Sequence, residues 1–354
     1  MPGTHVSELA PRGQTNGQRV VPCVACGGTQ VRVLLTPDDL RAEQAWLERF
    51  HAARVDRPAH EAKDLASFTQ NDATNVVACV ACGTLLRDPQ PTCELLGERY
   101  SDDEYGRETL EALARNQDRF FAAALERLAD ALGELDAGAR VLEVGSFVGG
   151  FLRAAARRGW RTTGIDVGEE TTRFMREDGL DVLAGDLLEL SLPEGAFDAV
   201  FVWNTFDQLC NPTDVLRRVH ALLRPGGLVV LRVPNGRFET ACLELRARNR
   251  GTRREERILA AQAYENFVTF PYLAGYTPES LCGLLAAHGL GCVAVRGGTI
   301  LDLADESTKS FAVAEEARSK RGVLRACRAA QGATGLSFHP WIDVVARRGR
   351  GRAA

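Results

Sequence analysis

The chain has 354 residues, 45% of them hydrophobic and 25% charged, with a formal net charge of −4. That length holds one large domain and a smaller one, and the slightly acidic balance gives no general electrostatic drive toward nucleic acid or an anionic membrane. No apolar run approaches the roughly 20 residues a membrane span needs. Residues 1–20 have no apolar core segment, so they read as a flexible tail and not a signal peptide, and the cytoplasm is the expected compartment.

Residues 21–30 read VPCVACGGTQ and 77–86 read VACVACGTLL, so the two segments nearly repeat each other. Each sets Cys-x-x-Cys ahead of a glycine, a tight knuckle that aims both thiolates at one point. Two knuckles supply four sulfurs, the tetrahedral set that zinc prefers, and leave no open position for catalysis. Cys23, Cys26, Cys79 and Cys82 are therefore the candidate ligands of a structural zinc in a ribbon-like domain over 21–91. The long interval between the pairs, helix-like and charged over 40–54, reads as an insert. Two unrelated thiol pairs, or a redox disulfide, are the competing readings. The other cysteines (Cys93, Cys210, Cys242, Cys282, Cys292, Cys327) are expected to act as small buried apolar residues.

Pro89 and Pro91 suit an extended connector, and Thr92 is placed to cap a short helix reaching Glu98. The rest of a linking stretch, 92–138, carries a long amphipathic pattern over 107–133, with Leu110, Leu113, Ala114, Phe120, Phe121, Leu125, Leu128 and Leu132 on one side.

From residue 139 the pattern changes. Val141 to Val144 reads as a buried strand, Gly145 to Gly150 as a loop, and Phe151 onward as an amphipathic helix. A second strand, Arg161 to Ile165, ends in Asp166. Strand, glycine loop, helix, strand and acid is the nucleotide-site plan of a doubly wound sheet, open at this point to dinucleotides as well. A helix over 169–178 follows, then a strand over 181–184 ending in Gly185-Asp186-Leu187. The next strand, 197–202, ends in Trp203-Asn204. A helix over 212–223 stops at Arg224-Pro225-Gly226-Gly227, and a strand covers 228–233. This alternation predicts an α/β domain over 139–347, a parallel sheet with helices on both faces and strands buried on both sides. Residues 236–276 read as an insert or substrate lid, helical over 239–261 and then aromatic through Tyr264, Phe267, Phe270, Tyr272 and Tyr276. Thr277-Pro278 opens a helix, a strand covers 291–295, a helix 305–331 and a strand 341–346, and 348–354 is a basic tail.

The segment 139–234 resembles the class I S-adenosylmethionine-dependent methyltransferases. The resemblance rests on Val141-Leu142-Glu143-Val144-Gly145 with Gly149, Gly164-Ile165-Asp166, Gly185-Asp186, Phe197-Asp198-Ala199-Val200 and Leu223-Arg224-Pro225-Gly226-Gly227-Leu228, in order and at the right spacing. Thr277-Pro278-Glu279-Ser280-Leu281 with Gly289 is similar to the helix before that family's sixth strand. Cys79 to Pro91 with Tyr100 and Tyr105 resembles the zinc-ribbon leader of many bacterial small-molecule methyltransferases. The resemblance implies a doubly wound, Rossmann-like, mostly parallel seven-stranded sheet with a small N-terminal zinc-binding domain. It also implies S-adenosylmethionine lying across the carboxyl ends of the strands. Glu143 would attract the methionine ammonium, and Gly145 and Gly149 would let the backbone approach the methionine part, with Ser146, Phe147 and Val167 alongside. Asp166 would accept from the ribose hydroxyls, Gly185, Asp186 and Leu187 would hold the adenine edge, and Trp203 and Asn204 would face the methyl group. The sequence departs from the family at Phe147, which stands where the loop usually has its middle glycine. It departs again at Asp207-Gln208, where an acid–histidine pair is common.

Methyl transfer from a sulfonium is an in-line displacement, so the enzyme chiefly aligns donor and acceptor and excludes water. A base is needed only where the acceptor loses a proton. Asp207, Tyr264, Tyr272 and His339 are the candidates, with Tyr276 and His288 behind them. The leading expectation is methylation of a small molecule: a sugar, a sugar nucleotide or a secondary metabolite. One alternative is a ribosomal-RNA type of RNA methyltransferase, using Arg246, Arg248, Arg250, Arg253, Arg254 and Arg257 as a phosphate face. Another is a cofactor-binding scaffold without turnover.

Overall fold

The computed structural model describes residues 6–9, 17–55, 73–101, 105–133, 135–264, 266–268, 271–298 and 308–350. Phe270, most of the expected N-terminal tail, the first residues of the helix expected from 305 and the end of the basic tail lie outside the described residues. The chain forms two compact units. One gathers Met1–Thr92, Pro234–Leu281 and Gly297–Ile342, and the other gathers Cys93–Val233, Cys282–Arg296 and Asp343–Ala354. Strands are numbered β1 to β14 in chain order.

The first unit carries the cysteine knuckles. Its sheet has the order β1 (Val6–Glu8), β3 (Gln30–Leu35), β4 (Asn75–Cys79), β5 (Leu85–Asp88) and β12 (Ala274–Gly275), every neighbour antiparallel. A short ladder pairs β2 (Gln18–Arg19) with β6 (Gln90–Pro91). Helix Pro37–Ala52 begins at a capping box in which the Thr36 hydroxyl accepts from Asp39 N and the Asp39 carboxylate accepts from Thr36 N, with Pro37 in the first turn. Glu43 of this helix takes a two-pronged ion pair from Arg246 of helix Gly236–Ala247, at 2.9 and 2.7 Å. The core packs Leu35, Leu47, Phe50, Val76 and Leu85 against Tyr264, Phe267, Tyr272 and Trp341. The buried Arg87 guanidinium fixes the aromatic stretch by donating to Tyr272 O at 2.8 Å and Phe267 O at 3.1 Å.

The second unit is the doubly wound one. It is built on β7 (Arg140–Val144), β8 (Arg161–Asp166), β9 (Val182–Ala184), β10 (Phe197–Trp203), β11 (Leu223–Pro234), β13 (Leu290–Gly298) and β14 (Trp341–Arg348), whose order in the seven-stranded sheet is β13-β14-β11-β10-β7-β8-β9. The pairs β10–β11, β10–β7, β7–β8 and β8–β9 are parallel. The chain enters at β7 and winds outward to β8 and β9. It then returns to lay β10 on the other side of β7, so the order reverses between β7 and β10. Val141, Leu142, Ala199, Val200, Phe201, Leu228 and Val230 are fully or almost fully buried, as strands covered on both faces require.

Two details differ from the sequence reading. β11 starts at Leu223 and runs through Pro225-Gly226-Gly227, which reads as a break. The ladder absorbs those residues as a bulge, stepping from Phe197 opposite Leu223 to Ala199 opposite Leu228. Four cysteines expected as apolar filler instead pair, Cys93 with Cys210 and Cys282 with Cys292, with Cα atoms 5.5 and 5.6 Å apart.

Candidate functional site

The carboxyl ends of β7, β8 and β10 bring most of the expected cofactor residues of the second unit together. Gly145 N and Ser146 N both donate to Ile165 O, at 2.8 and 3.0 Å, and the Ser146 hydroxyl accepts from Ile165 N at 3.1 Å. The loop after β7 is thereby laid over the end of β8. There Asp166 Oδ2 accepts from Phe147 N at 2.7 Å, while Oδ1 accepts from Gly168 N at 3.0 Å and the Thr171 hydroxyl at 3.2 Å. The Asp166 carboxylate is thus held by loops on both sides. Glu143, at the end of β7, is buried, and its Oε2 meets no hydrogen-bond donor among the described residues. Burial, and then the charge of Asp166, pushes its pKa well up from the ordinary carboxylate value, with Ser146 and Arg153 pulling the other way.

The glycines of the loop are required by the protein's own packing. Gly145 has φ +76°, and a Cβ there would lie 2.2 Å from Thr205 Oγ1 and 2.8 Å from Thr205 Cγ2. A Cβ on Gly149 would lie 2.4 Å from Leu180 Cδ1. The sequence reading attributed both glycines to close approach of a ligand; protein side chains fill those spaces. Phe147 follows with φ +49°, a left-handed conformation that side chains rarely adopt.

At the end of β9, Gly185 N donates to Asp166 O at 2.8 Å. The exposed Asp186 accepts from Leu188 N at 2.7 Å, while Leu187 is buried and Val167 is exposed. At the end of β10, Trp203 is a core residue with its ring centroid 5.4 Å from Phe121, 5.8 Å from Phe201 and 5.9 Å from Phe151; its Nε1 is buried with no acceptor among the described residues. Asn204 has φ +51° and a buried Oδ1 with no donor among the described residues. In the turn beyond it Asp207 is wholly buried, and among the described residues neither carboxylate oxygen meets a hydrogen-bond donor. Burial pushes the Asp207 pKa up to about 8, with the Arg232 charge opposing.

Of the other candidates for proton transfer, Tyr264, Tyr272, Tyr276 and His339 lie in the first unit and His288 in the second. Tyr264 packs edge-on against Phe50, with centroids 5.5 Å apart, and burial raises its pKa. Tyr272 packs against Phe267 and Trp341. Both are core side chains. His339 stands against Gly297, where a Cβ would lie 2.2 Å from its Cγ; burial, and then Arg328, lowers its pKa. Tyr276 is also buried, and His288 turns its Nδ1 to Leu284 O, 2.8 Å away.

Sequence reasoning named Gln208 and Tyr100 as parts of motifs but not their contact. The Tyr100 hydroxyl donates to Gln208 Oε1 at 2.6 Å, and Gln208 Nε2 donates to Asn204 O at 2.5 Å, so the amide braces the turn that carries Asp207. It also missed Arg232 and Asp343, a buried pair 2.8 Å apart. A charged residue set in each of two otherwise apolar strands was the available signal.

A family model described as a methyltransferase domain matches residues 113–295. The chain belongs to that family. This methyltransferase has the α/β, mostly parallel, seven-stranded architecture of the class I, S-adenosylmethionine-dependent type. Among curated relatives, the ubiquinone biosynthesis O-methyltransferase of Pseudomonas aeruginosa is 34% identical over 107 residues, covering 28% of this chain and 46% of the relative. The protein of the same name from Xanthomonas axonopodis pv. citri is 31% identical over 147 residues, covering 40% and 58%. The chain spans about half the length of the curated relatives it matches. Among solved structures, a SAM-dependent methyltransferase from Archaeoglobus fulgidus is similar with a TM-score of 0.45 at 16% identity, covering 65% of this chain and 94% of that one. A Burkholderia thailandensis 1,6-didemethyltoxoflavin-N1-methyltransferase has a TM-score of 0.43 at 19% identity, covering 76% and 96%.

The methyltransferase also carries the four-cysteine cluster in its first unit. Cys23 Sγ lies 3.5 Å from Cys82 Sγ, Cys26 Sγ lies 3.6 Å from Cys79 Sγ, and all four sulfurs fall within 4.8 Å of one another. Zinc–sulfur bonds of about 2.3 Å at tetrahedral angles put sulfurs about 3.8 Å apart, so the donor set fits that ion. Among the described residues, no helix is long and apolar enough to cross a membrane.

Proposed function

We propose that the protein transfers a methyl group from S-adenosylmethionine to a small-molecule acceptor. The observation that carries this reading is the convergence of Glu143, the Gly145–Phe147 backbone and Asp166 at the point where strand order reverses. The group fits these residues. Glu143 Oε2 is a buried acceptor short of a donor, which an ammonium supplies. Asp166, already oriented by Phe147 N and Gly168 N, presents its carboxylate at the strand end where ribose hydroxyls donate. In this reading Gly185, Asp186 and Leu187, at the end of the next strand, take the adenine edge, with Ser146 and Val167 beside the loop and Asn204 toward the reacting end; Trp203 supports them from the core. Bound there, the cofactor supplies an activated methyl group on a good leaving group.

The chain's own residues then orient the acceptor, exclude water and manage its proton. Asp207 is the base in this reading. Being wholly buried, it holds its proton until the pH nears 8, so its basic form grows in at the alkaline end of the neutral range. The names of the curated relatives support a small acceptor, and a sugar, sugar nucleotide or secondary metabolite remains the class. Three of the six arginines that the RNA alternative would use face carboxylates of the chain itself. Arg246 is committed to Glu43, Arg248 faces Glu244 and Arg250 faces Asp39. In the first unit we propose a structural zinc on Cys23, Cys26, Cys79 and Cys82, whose four thiolates close its coordination.

Calorimetric titration with S-adenosylhomocysteine tests the reading. Wild type should bind, and Asp166→Ala should bind at least about tenfold more weakly, the loss of roughly 1.4 kcal/mol of hydrogen bonding. Failure of the wild type to bind would remove the methyltransferase reading; equal affinities would remove only Asp166 from the site.

A further inference from the structure

The turn after β10, residues 204–211, is closed over groups that favour opening it. Asn204 sits at φ +51°, and Asp207 is wholly buried with no donor to either carboxylate oxygen among the described residues. An unpaired buried carboxyl costs free energy, so the closed turn needs ties from outside. Helix Cys93–Ser101 supplies one from each of its ends. Cys93, its first residue, is disulfide-bonded to Cys210, just past Asp207, across a sequence separation of 117. Tyr100, near its last residue, donates to Gln208 Oε1 at 2.6 Å, and Gln208 Nε2 donates to Asn204 O at 2.5 Å. Cys93 and Cys210 are both half-buried, so a dissolved thiol can reach the bond. The same chain keeps Cys23, Cys26, Cys79 and Cys82 as free thiols. Surroundings that preserve those thiols also open an accessible disulfide. The second bond, Cys282–Cys292, lies elsewhere: it ties Cys282 to the edge strand β13, with β14 and β11 between that strand and β10.

We propose that Cys93 and Cys210 form a thiol–disulfide switch that holds the 204–211 turn closed when oxidised and releases it when reduced, with a dithiol as its reductant. A thiolate of the dithiol attacks one sulfur of the pair. The bond between Cys93 and Cys210 breaks, a mixed disulfide forms, and the displaced cysteine thiolate takes up a proton. The reductant's second thiolate then displaces the other cysteine, so two electrons pass to the protein and the reductant leaves as its own disulfide. A low-molecular-weight disulfide reverses these steps. After release Tyr100 remains as the weaker tie, a hydrogen bond in place of a covalent bridge. The consequence for catalysis rests on the reading of Asp207 as the base: an open turn admits water to its carboxylate and loosens its aim at the acceptor.

Hydrogen exchange read by mass spectrometry on the full chain, oxidised and dithiothreitol-reduced, tests the switch without an acceptor. Reduction should speed amide exchange in a peptide covering 203–211 at least about tenfold and leave β7 unchanged. Cys93→Ser combined with Cys210→Ser should exchange like reduced wild type under both conditions, which separates this bond from the knuckle thiols. Cys282→Ser combined with Cys292→Ser should keep the full response, and Tyr100→Phe should add to the release in the reduced chain. Alkylation of the folded chain before and after the dithiol identifies the cysteines that opened. Equal exchange at 203–211 in the two forms of wild type would overturn the switch. So would a Cys93–Cys210 bond that dithiothreitol opens only after unfolding, or thiols at both positions that no disulfide oxidant joins. Calorimetry with S-adenosylhomocysteine judges the methyltransferase reading separately, because binding by wild type stands or falls whatever the exchange result.

Discussion

Arg232 and Asp343 meet at 2.8 Å on the neighbouring strands β11 and β14, both almost wholly shut off from water. The guanidinium lies 4.8 Å from the centroid of Phe120, and the second Asp343 oxygen accepts from Arg127 at 3.3 Å. Such a pair gives little net stability against an apolar pair of similar volume, but removing one partner strands the other charge. Asp343→Ala should therefore lower unfolding stability by about 3–5 kcal/mol. Arg232→Met combined with Asp343→Leu should recover most of that in denaturant titration. A double variant as unstable as the single one would show that the loss comes from packing and not from an unpaired charge.

Gly145 and Thr205 are held together closely enough to test in the same way. A methyl group at 145 would overlap Thr205 Oγ1 and Cγ2 and would sit at positive φ. Gly145→Ala should cost about 1–3 kcal/mol, and adding Thr205→Ala should return the part due to overlap. A double-mutant cycle in urea measures that coupling. No coupling would mean that Thr205 moves aside freely, and that the glycine answers to backbone conformation alone.

Much of the second unit was legible in the sequence because its strands are short, apolar runs covered on both faces, with turn residues between them. β7, β8, β10 and the acid at Asp166 fall where pattern and spacing put them. Periodicity identifies a face, however, and not what that face meets. Tyr264 and Tyr272 carry the same signal as lid or as core, and only the return of 234–281 onto the cysteine-bearing sheet makes them core. Pro225-Gly226-Gly227 reads as the stop between a helix and a strand, yet a bulge lets one strand pass through it. The Arg232–Asp343 pair joins residues 111 apart in sequence, and nothing local to either names the other.

Asp207 predicts a pH dependence of stability whose sign follows from its raised pKa. In the unfolded chain the group loses its proton near pH 4, as an ordinary carboxyl does. In the folded chain burial holds the proton until about pH 8. Between those values the native state binds more protons than the unfolded state, so this group's contribution falls as pH rises, by up to about 1.4 kcal/mol per pH unit. Asp207→Asn removes the titration. The stability difference, variant minus wild type, should therefore grow between pH 5 and pH 8 in denaturant curves. A constant difference would mean that Asp207 titrates alike in both states. The same substitution should reduce methyl transfer about 10²-fold or more and abolish a rise in rate toward pH 8, if the acceptor must lose a proton.

The sulfur cluster makes the last prediction. Four Sγ atoms within 4.8 Å of one another, presented by two knuckles of the same local sequence, leave a space of the size that zinc occupies. Elemental analysis of purified protein should find about one zinc per chain. Cobalt exchanged into the site should show the strong visible and near-ultraviolet bands of a tetrahedral thiolate centre. Cys26→Ser should weaken retention of the metal, and a chelator should lower the thermal midpoint of the wild type, because the ion ties β-strand knuckles 23–26 and 79–82 that are distant in sequence. A chain that purifies free of metal, with four titratable thiols at these positions and a midpoint indifferent to both chelator and added zinc, would exclude the structural zinc.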